Sequence, residues 1–236
     1  MVLRGRQLGE ADRILTLFTL ECGKLDGVAK GVRRPRSHLA GRVEFLNECQ
    51  FVMHRGRSLD VIASADIVAT PWTRLVEPER YGVAAVAAEL IDAFCEPDLA
   101  LPDVYALLTG VIGAIAASSS PRRLLPRFSL RLLQMLGLSP PLTTCVRCGK
   151  ALPSGAVWLD AQAGGLIDPG CREGWQNLPE LQEDDVLNLR ALARPKASDG
   201  AAIASTPSAA SAIDELVAHH LGKRPRALAQ LASLKA

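Results

Sequence analysis

The chain has 236 residues, of which 48% are apolar and 22% charged, with a formal net charge of +2. That balance excludes a disordered or fibrous polypeptide and leaves room for more than one unit, since domains commonly run on the order of 100–150 residues. The most apolar long stretch, Val104 to Ala117, is interrupted by Thr109 and two glycines and falls short of the roughly 20 residues that span a bilayer. MVLRGRQLGE at the start lacks the apolar run of a secretory signal, so a cytoplasmic location with no membrane partner is expected.

Five short segments of strand character fill the first 70 residues: Val2–Gln7, Arg13–Thr19, Lys24–Lys30, Glu44–His54 and Ser58–Ile67. Arg55, Gly56 and Arg57 make a tight hairpin between the last two. Five strands at this spacing predict a small barrel, an oligonucleotide-binding (OB) fold with an SH3-like barrel as the competitor. Charge is concentrated here: Met1 to Arg57 carries eleven Lys or Arg against six Asp or Glu, a net of +5, which leaves −3 on the other 179 residues.

The centre of that charge is Lys24 to Arg42, KLDGVAKGVRRPRSHLAGR. Gly31 gives the backbone freedom to turn and Pro35 extends Arg34, so Lys30, Arg33, Arg34 and Arg36 should project from one connection between strands. The reading is a phosphate-facing surface of Lys24, Lys30, Arg33, Arg34, Arg36, Arg42, Arg55 and Arg57, against the alternative of a solvated charge run. Phe18 and Phe51 lie in apolar alternations and are expected in the core, so binding should rest on charge and fall steeply with salt.

From Pro78 the period becomes helical, with helices expected from Pro78 to before Pro97, from about Pro102 to Ala117, and from Arg122 to Leu136. The third combines an apolar stripe that includes Phe128 with Arg123, Arg127 and Arg131 at intervals of four. This suggests an anion or acidic-peptide site, or alternatively a solvated edge. Further helices are expected at Leu181–Arg194, Ser211–Leu221 and Arg226–Leu234, with a Ser/Ala/Pro-rich connection from Pro195 to Pro207.

Cys145-Val-Arg-Cys148-Gly is a knuckle that presents two thiols to one metal ion, zinc by its spacing. Cys171 in DPGCREGW is the natural third ligand, but Gly174 stands three residues further on. The fourth ligand is therefore absent or unknown, with Asp168, His219 and His220 as substitutes, and a metal-free site remains the alternative.

In this order, LGEADRILTLFT at Leu8–Thr19, KGVRRPRS at Lys30–Ser37, VEPERYG at Val76–Gly82, RFSLRLLQMLGL at Arg127–Leu138 and the CVRCG knuckle resemble the bacterial RecO family of recombination mediators over nearly the whole chain. The resemblance implies an α+β protein: an OB-fold at 1–72, a helical domain at 73–142, a zinc-finger-like insert at 143–178 and C-terminal helices at 179–236. It also implies binding of single- and double-stranded DNA, annealing of complementary strands, and work with RecR and the single-stranded DNA-binding protein SSB to load RecA. On that reading the acidic, apolar-ended SSB tail would meet Arg123, Arg127, Arg131 and Phe128. The chain contains no GxxxxGK[ST], GxSxG or HExxH, so a non-catalytic mediator is expected, with a helical interaction scaffold that does not touch DNA as the alternative.

Overall fold

In the computed structural model, which describes residues 1–174, 177–195 and 203–234, the N-terminal strands are β1 (Val2–Leu8), β2 (Asp12–Thr19), β3 (Gly23–Ala29), β4 (Glu48–His54) and β5 (Asp60–Ala69). They form one sheet in the order β1-β2-β3-β5-β4, antiparallel except for β3 and β5, which pair in parallel through Gly27↔Asp60 and Val28↔Val61. The sheet ends meet where Val2 N donates to Asn47 O at 3.0 Å and Leu46 N donates to Val2 O at 2.8 Å. Leu46 makes this junction with φ of 63°, a left-handed conformation that its complete burial holds in place. This is the five-stranded OB architecture that the strand spacing predicts.

The first three strands lie within one residue of the sequence reading, and the last two differ more. Glu44, Phe45, Leu46 and Asn47 lie outside the strand, so β4 begins at Glu48, and β5 starts at Asp60 and runs to Ala69. β2 is buried on both faces. Leu15 and Leu17 enter the barrel core, while fully buried Phe18 packs its ring 6.0 Å from that of Tyr105. Phe51 is half-buried and packs against the barrel core, so Phe18 is a core residue and Phe51 lies at the core's edge.

The helices α1 (Pro78–Phe94) and α2 (Pro102–Ala117) belong to the same compact unit as the barrel, which comprises Met1–Ser118 and the residues from Gln230 onward. Proline stands in the first turn of each, where its missing N–H costs nothing. Asp92 of α1 receives Arg4 Nε at 2.5 Å, and Lys24 Nζ bonds the Asp92 carbonyl at 2.5 Å. Tyr105 of α2 donates to Glu48 at 2.7 Å.

The second unit, Ser119–Ala229, begins with a 3-10 turn at Pro121–Leu124 followed by α3 (Leu125–Met135). A small antiparallel sheet of β6 (Val157–Asp160), β7 (Gly165–Ile167) and β8 (Glu180–Leu181), in the order β7-β6-β8, then precedes α4 (Glu183–Ala193), α5 (Pro207–Leu221) and α6 (Arg226–Ser233). Residues 196–202 of the expected Pro195–Pro207 connection lie outside the described residues. The buried stripe Leu125, Phe128 and Leu132 of α3 packs against α4 and α5, which contribute Leu189, Leu192, Ile213 and Leu216. Thr206 caps α5, accepting from Ala209 N at 3.2 Å and donating to Asp185 of α4 at 2.5 Å, which ties the two helix starts together.

Candidate nucleic-acid interface and metal centre

The connection from β3 to β4 is packed as well as charged. Val32, Leu39 and Val43 enter the barrel core with 4%, 2% and 1% exposure. Gly31 takes φ of 63° and donates to Asp12 Oδ1 at 2.7 Å, and Arg33 N donates to Ala11 O at 3.0 Å. Three apolar anchors inside therefore fix the backbone on which the cations stand outside.

Lys30, Arg34 and Arg36 are exposed, and their side chains make no hydrogen bond or ion pair among the described residues. Arg33 spends one guanidinium N–H on Glu10 O at 2.9 Å. Arg42 reaches Ala65 O at 3.0 Å and Asp66 Oδ1 at 2.6 Å; its pair with Asp66 is exposed and of the kind worth at most about 1 kcal/mol. Arg55 and Arg57 are exposed on the β4–β5 hairpin. Gly56 is required there, because a Cβ on it would lie 1.9 Å from Leu59 O. The parallel register sets this hairpin towards the start of β3, whereas Lys30 follows its end, so the two cationic groups are separated along the barrel by several residues at about 3.3 Å each. Lys24 differs from the rest: its side chain is 15% exposed and committed to Asp92, where it fastens β3 to α1.

The arginines of the third helix divide in the same way. Arg123 is exposed but stands in the 3-10 turn, outside the α-helical repeat. Arg127 donates to Leu192 O and Arg194 O, each at 2.8 Å, and Arg131 to Gln134 Oε1 at 2.8 Å and Ala193 O at 3.5 Å. Both guanidiniums thus meet the free carbonyls at the C-terminal end of α4, where helix polarity favours a cation. Burial and the neighbouring Arg131 lower the pKa of Arg127. Phe128 is 2% exposed and belongs to the core.

Cys145, Cys148, Asp168 and Cys171 converge, with ligand atoms all within 4.8 Å of one another. The knuckle closes through Gly149 N to Cys145 O at 2.9 Å and is tied to β7 by Val146 N to Leu166 O at 2.9 Å. Asp168 follows β7 and uses both carboxylate oxygens, one accepting from Cys171 N at 3.0 Å and the other from Cys148 Sγ at 3.0 Å. The second half-site is therefore Asp168-x-x-Cys171, counted backward from the cysteine; neither Gly174 nor His219 and His220 belong to the cluster.

Bonds from Cys148 and Cys145 hold the Asp168 carboxyl down to about 2. Burial, with the bonds to Cys148 and Cys145, pushes the Cys171 thiol up to about 12. Burial opposes ionisation of Cys145, but backbone N–H groups of Cys148, Asp168 and Arg147 outweigh it and lower its pKa. Three sulfurs and one carboxylate fit zinc, for which thiolate and carboxylate are ordinary ligands in a four-coordinate structural site. Beside the cluster, Arg147 bonds the buried Asp160 through Nε at 3.0 Å and Nη2 at 2.5 Å, a contact that the knuckle sequence did not disclose.

Comparison with known families matches residues 1–71 to the N-terminal domain of recombination protein O and residues 76–228 to its C-terminal domain. Proteins described as DNA repair protein RecO from two strains of Bifidobacterium longum, DJO10A and NCC 2705, are each 38% identical over 170 residues, which cover 71% of this chain and 70% of the relative. With both family domains matched in order along one polypeptide, this chain belongs to the RecO family.

Proposed function

We propose that this chain is a non-catalytic recombination mediator in DNA repair. It binds single- and double-stranded DNA through the cationic end of its barrel, anneals complementary strands and, with RecR, helps to load RecA onto SSB-coated DNA in the cytoplasm, at the nucleoid. The observation that carries this reading is the apolar anchoring of Val32, Leu39 and Val43 beneath Lys30, Arg34 and Arg36, whose side chains have no partner among the described residues. A merely solvated loop needs no such foundation. Cations pre-set on a barrel reduce the ordering cost of meeting phosphates, and releasing counterions from two strands at once lowers the repulsion that opposes their pairing. No described helix is long and apolar enough to cross a membrane.

Lys30, Arg33, Arg34 and Arg36 form the first contact group, Arg42 extends it, and Arg55 and Arg57 meet the nucleic acid further along the barrel. The acidic tail of SSB is proposed to meet Arg123, Arg127 and Arg131, with Phe128 supporting them from the core. Zinc, held by Cys145, Cys148, Asp168 and Cys171, would cross-link the knuckle to the turn after β7 and so act on folding rather than on DNA chemistry.

The test is annealing of complementary oligonucleotides, with and without SSB, together with binding measured at several salt concentrations. Replacing Arg34 and Arg36 by alanine together should weaken single- and double-stranded binding alike and reduce the slope of log affinity against log salt by about 2, one for each phosphate contact removed. An unchanged slope would reject the assignment of these arginines. No binding at any salt concentration would favour a helical interaction scaffold instead.

A further inference from the structure

We propose that Tyr81 is a stacking platform for a base of single-stranded DNA, a deeper reading of the same surface that rests on the DNA-binding function proposed above. Three aromatic residues, Phe45 from the β3–β4 connection, Trp72 from the segment after β5 and Tyr81 from α1, converge where the barrel meets α1. The Tyr81 ring centroid lies 5.6 Å from that of Phe45 at an interplanar angle of 60°, and 5.9 Å from that of Trp72 at 39°. These are ordinary distances for attractive aromatic pairs. Phe45 and Trp72 are half-buried, but Tyr81 remains 42% exposed, and its hydroxyl has no hydrogen bond among the described residues. The Trp72 indole N–H is likewise without an acceptor. A ring serving only to seat α1 would be covered; this one is braced by two others and left open to solvent.

The surroundings indicate what would cover it. Phe45 ends the same connection that carries Lys30, Arg34, Arg36 and Arg42. Arg74, two residues after Trp72, is exposed and its side chain has no partner among the described residues. The nearby Glu77 carboxylate is answered by Arg80 at 3.3 Å. An exposed aromatic ring braced by segments that also carry exposed cations is the combination that holds a single strand, with phosphates on the charges and an unstacked base on the ring. A duplex, whose bases are already stacked, gains only from the charges.

The test measures binding of an oligo-dT strand and of a mixed-sequence duplex of equal length by fluorescence anisotropy. Tyr81→Leu keeps an apolar side chain and removes the π face. It should weaken single-strand binding about 5- to 150-fold, equivalent to about 1–3 kcal/mol for one stacked base, while duplex binding stays within about twofold. Tyr81→Phe should retain the single-strand affinity, and an unchanged melting temperature in both variants shows that the joint is intact. Equal losses on both substrates, or none on the single strand, overturn the platform. A chain whose binding responds to the Arg34 and Arg36 replacements but not to Tyr81→Leu binds by charge alone. A chain that binds neither substrate overturns this inference together with the function on which it rests.

Discussion

Asp168 shows how one side chain can complete a site that its neighbours leave short. It caps the turn carrying Cys171 while accepting from Cys148, so the carboxylate is oriented before any metal arrives. Metal-free, Cys171 near 12 and the raised Cys148 thiol are protonated at neutral pH, whereas Asp168 near 2 is ionised. Zinc uptake must therefore displace thiol protons, and its affinity should rise with pH across the neutral range, which calorimetry in buffers of different ionisation enthalpy will detect as proton release. The carboxylate adds a dependence of the same sign at lower pH: its depressed pKa stabilises the fold above the ordinary carboxylate range, and that contribution is lost as pH falls through about 2. Asp168→Ala should lower zinc stoichiometry and melting temperature together, whereas Asp168→Cys should tighten zinc. A metal content unaffected by Asp168→Ala would show that the carboxylate is not a ligand. The three cysteines were legible from the sequence and Asp168 was among the three substitutes for the fourth ligand, but spacing counted forward from Cys171 pointed to Gly174, whereas the turn after β7 places the partner three residues before the cysteine.

At the scale of elements, the β3–β4 connection combines two roles in one stretch. Leu39→Ala should cost about 2–5 kcal/mol in chemical denaturation, as for other buried leucines, and at temperatures where the barrel remains folded it should also weaken DNA binding by releasing the backbone beneath Arg34 and Arg36. Replacing the arginines themselves should leave stability within about 0.5 kcal/mol. The contrast separates anchoring from contact within a single segment. The α4 carbonyls offer a second case: Arg127→Ala leaves two of them without their cation and should cost about 1–3 kcal/mol, read as a lower melting temperature. Sequence period revealed the five barrel strands and α1 to within a few residues because each runs for seven or more residues with apolar alternation or a helical stripe. It missed β6, β7 and β8, since strands of four, three and two residues are too short for a period to show. The arginines at intervals of four were visible, but the 3-10 turn that takes Arg123 out of the helical repeat was not, because Pro121 and Pro126 fit the first turn of either helix type.

For the whole molecule, charge was the most readable property and assembly the least. The cationic front of the chain can be counted from residues, whereas the meeting of Phe45, Trp72 and Tyr81 depends on barrel closure and on where α1 lands, neither of which leaves a local trace. The division into compact units has a similar origin. The unit boundary falls within α6, and its residues from Gln230 onward belong to the unit that begins at Met1. Leu231, 3% exposed, packs so closely on α1 that a Cβ on Gly82 would stand 3.0 Å from its Cδ1. Leu231→Ala should cost about 2–5 kcal/mol, and the loss should appear in the transition of the barrel unit rather than in that of the zinc-knuckle unit. The consequence is one of timing. A ribosome releases the barrel first, yet that unit remains unfinished, with the Gly82 side of α1 uncovered, until the second unit has been synthesised and Leu231 has emerged. Of the two units, the one synthesised earlier is thus the later to be completed.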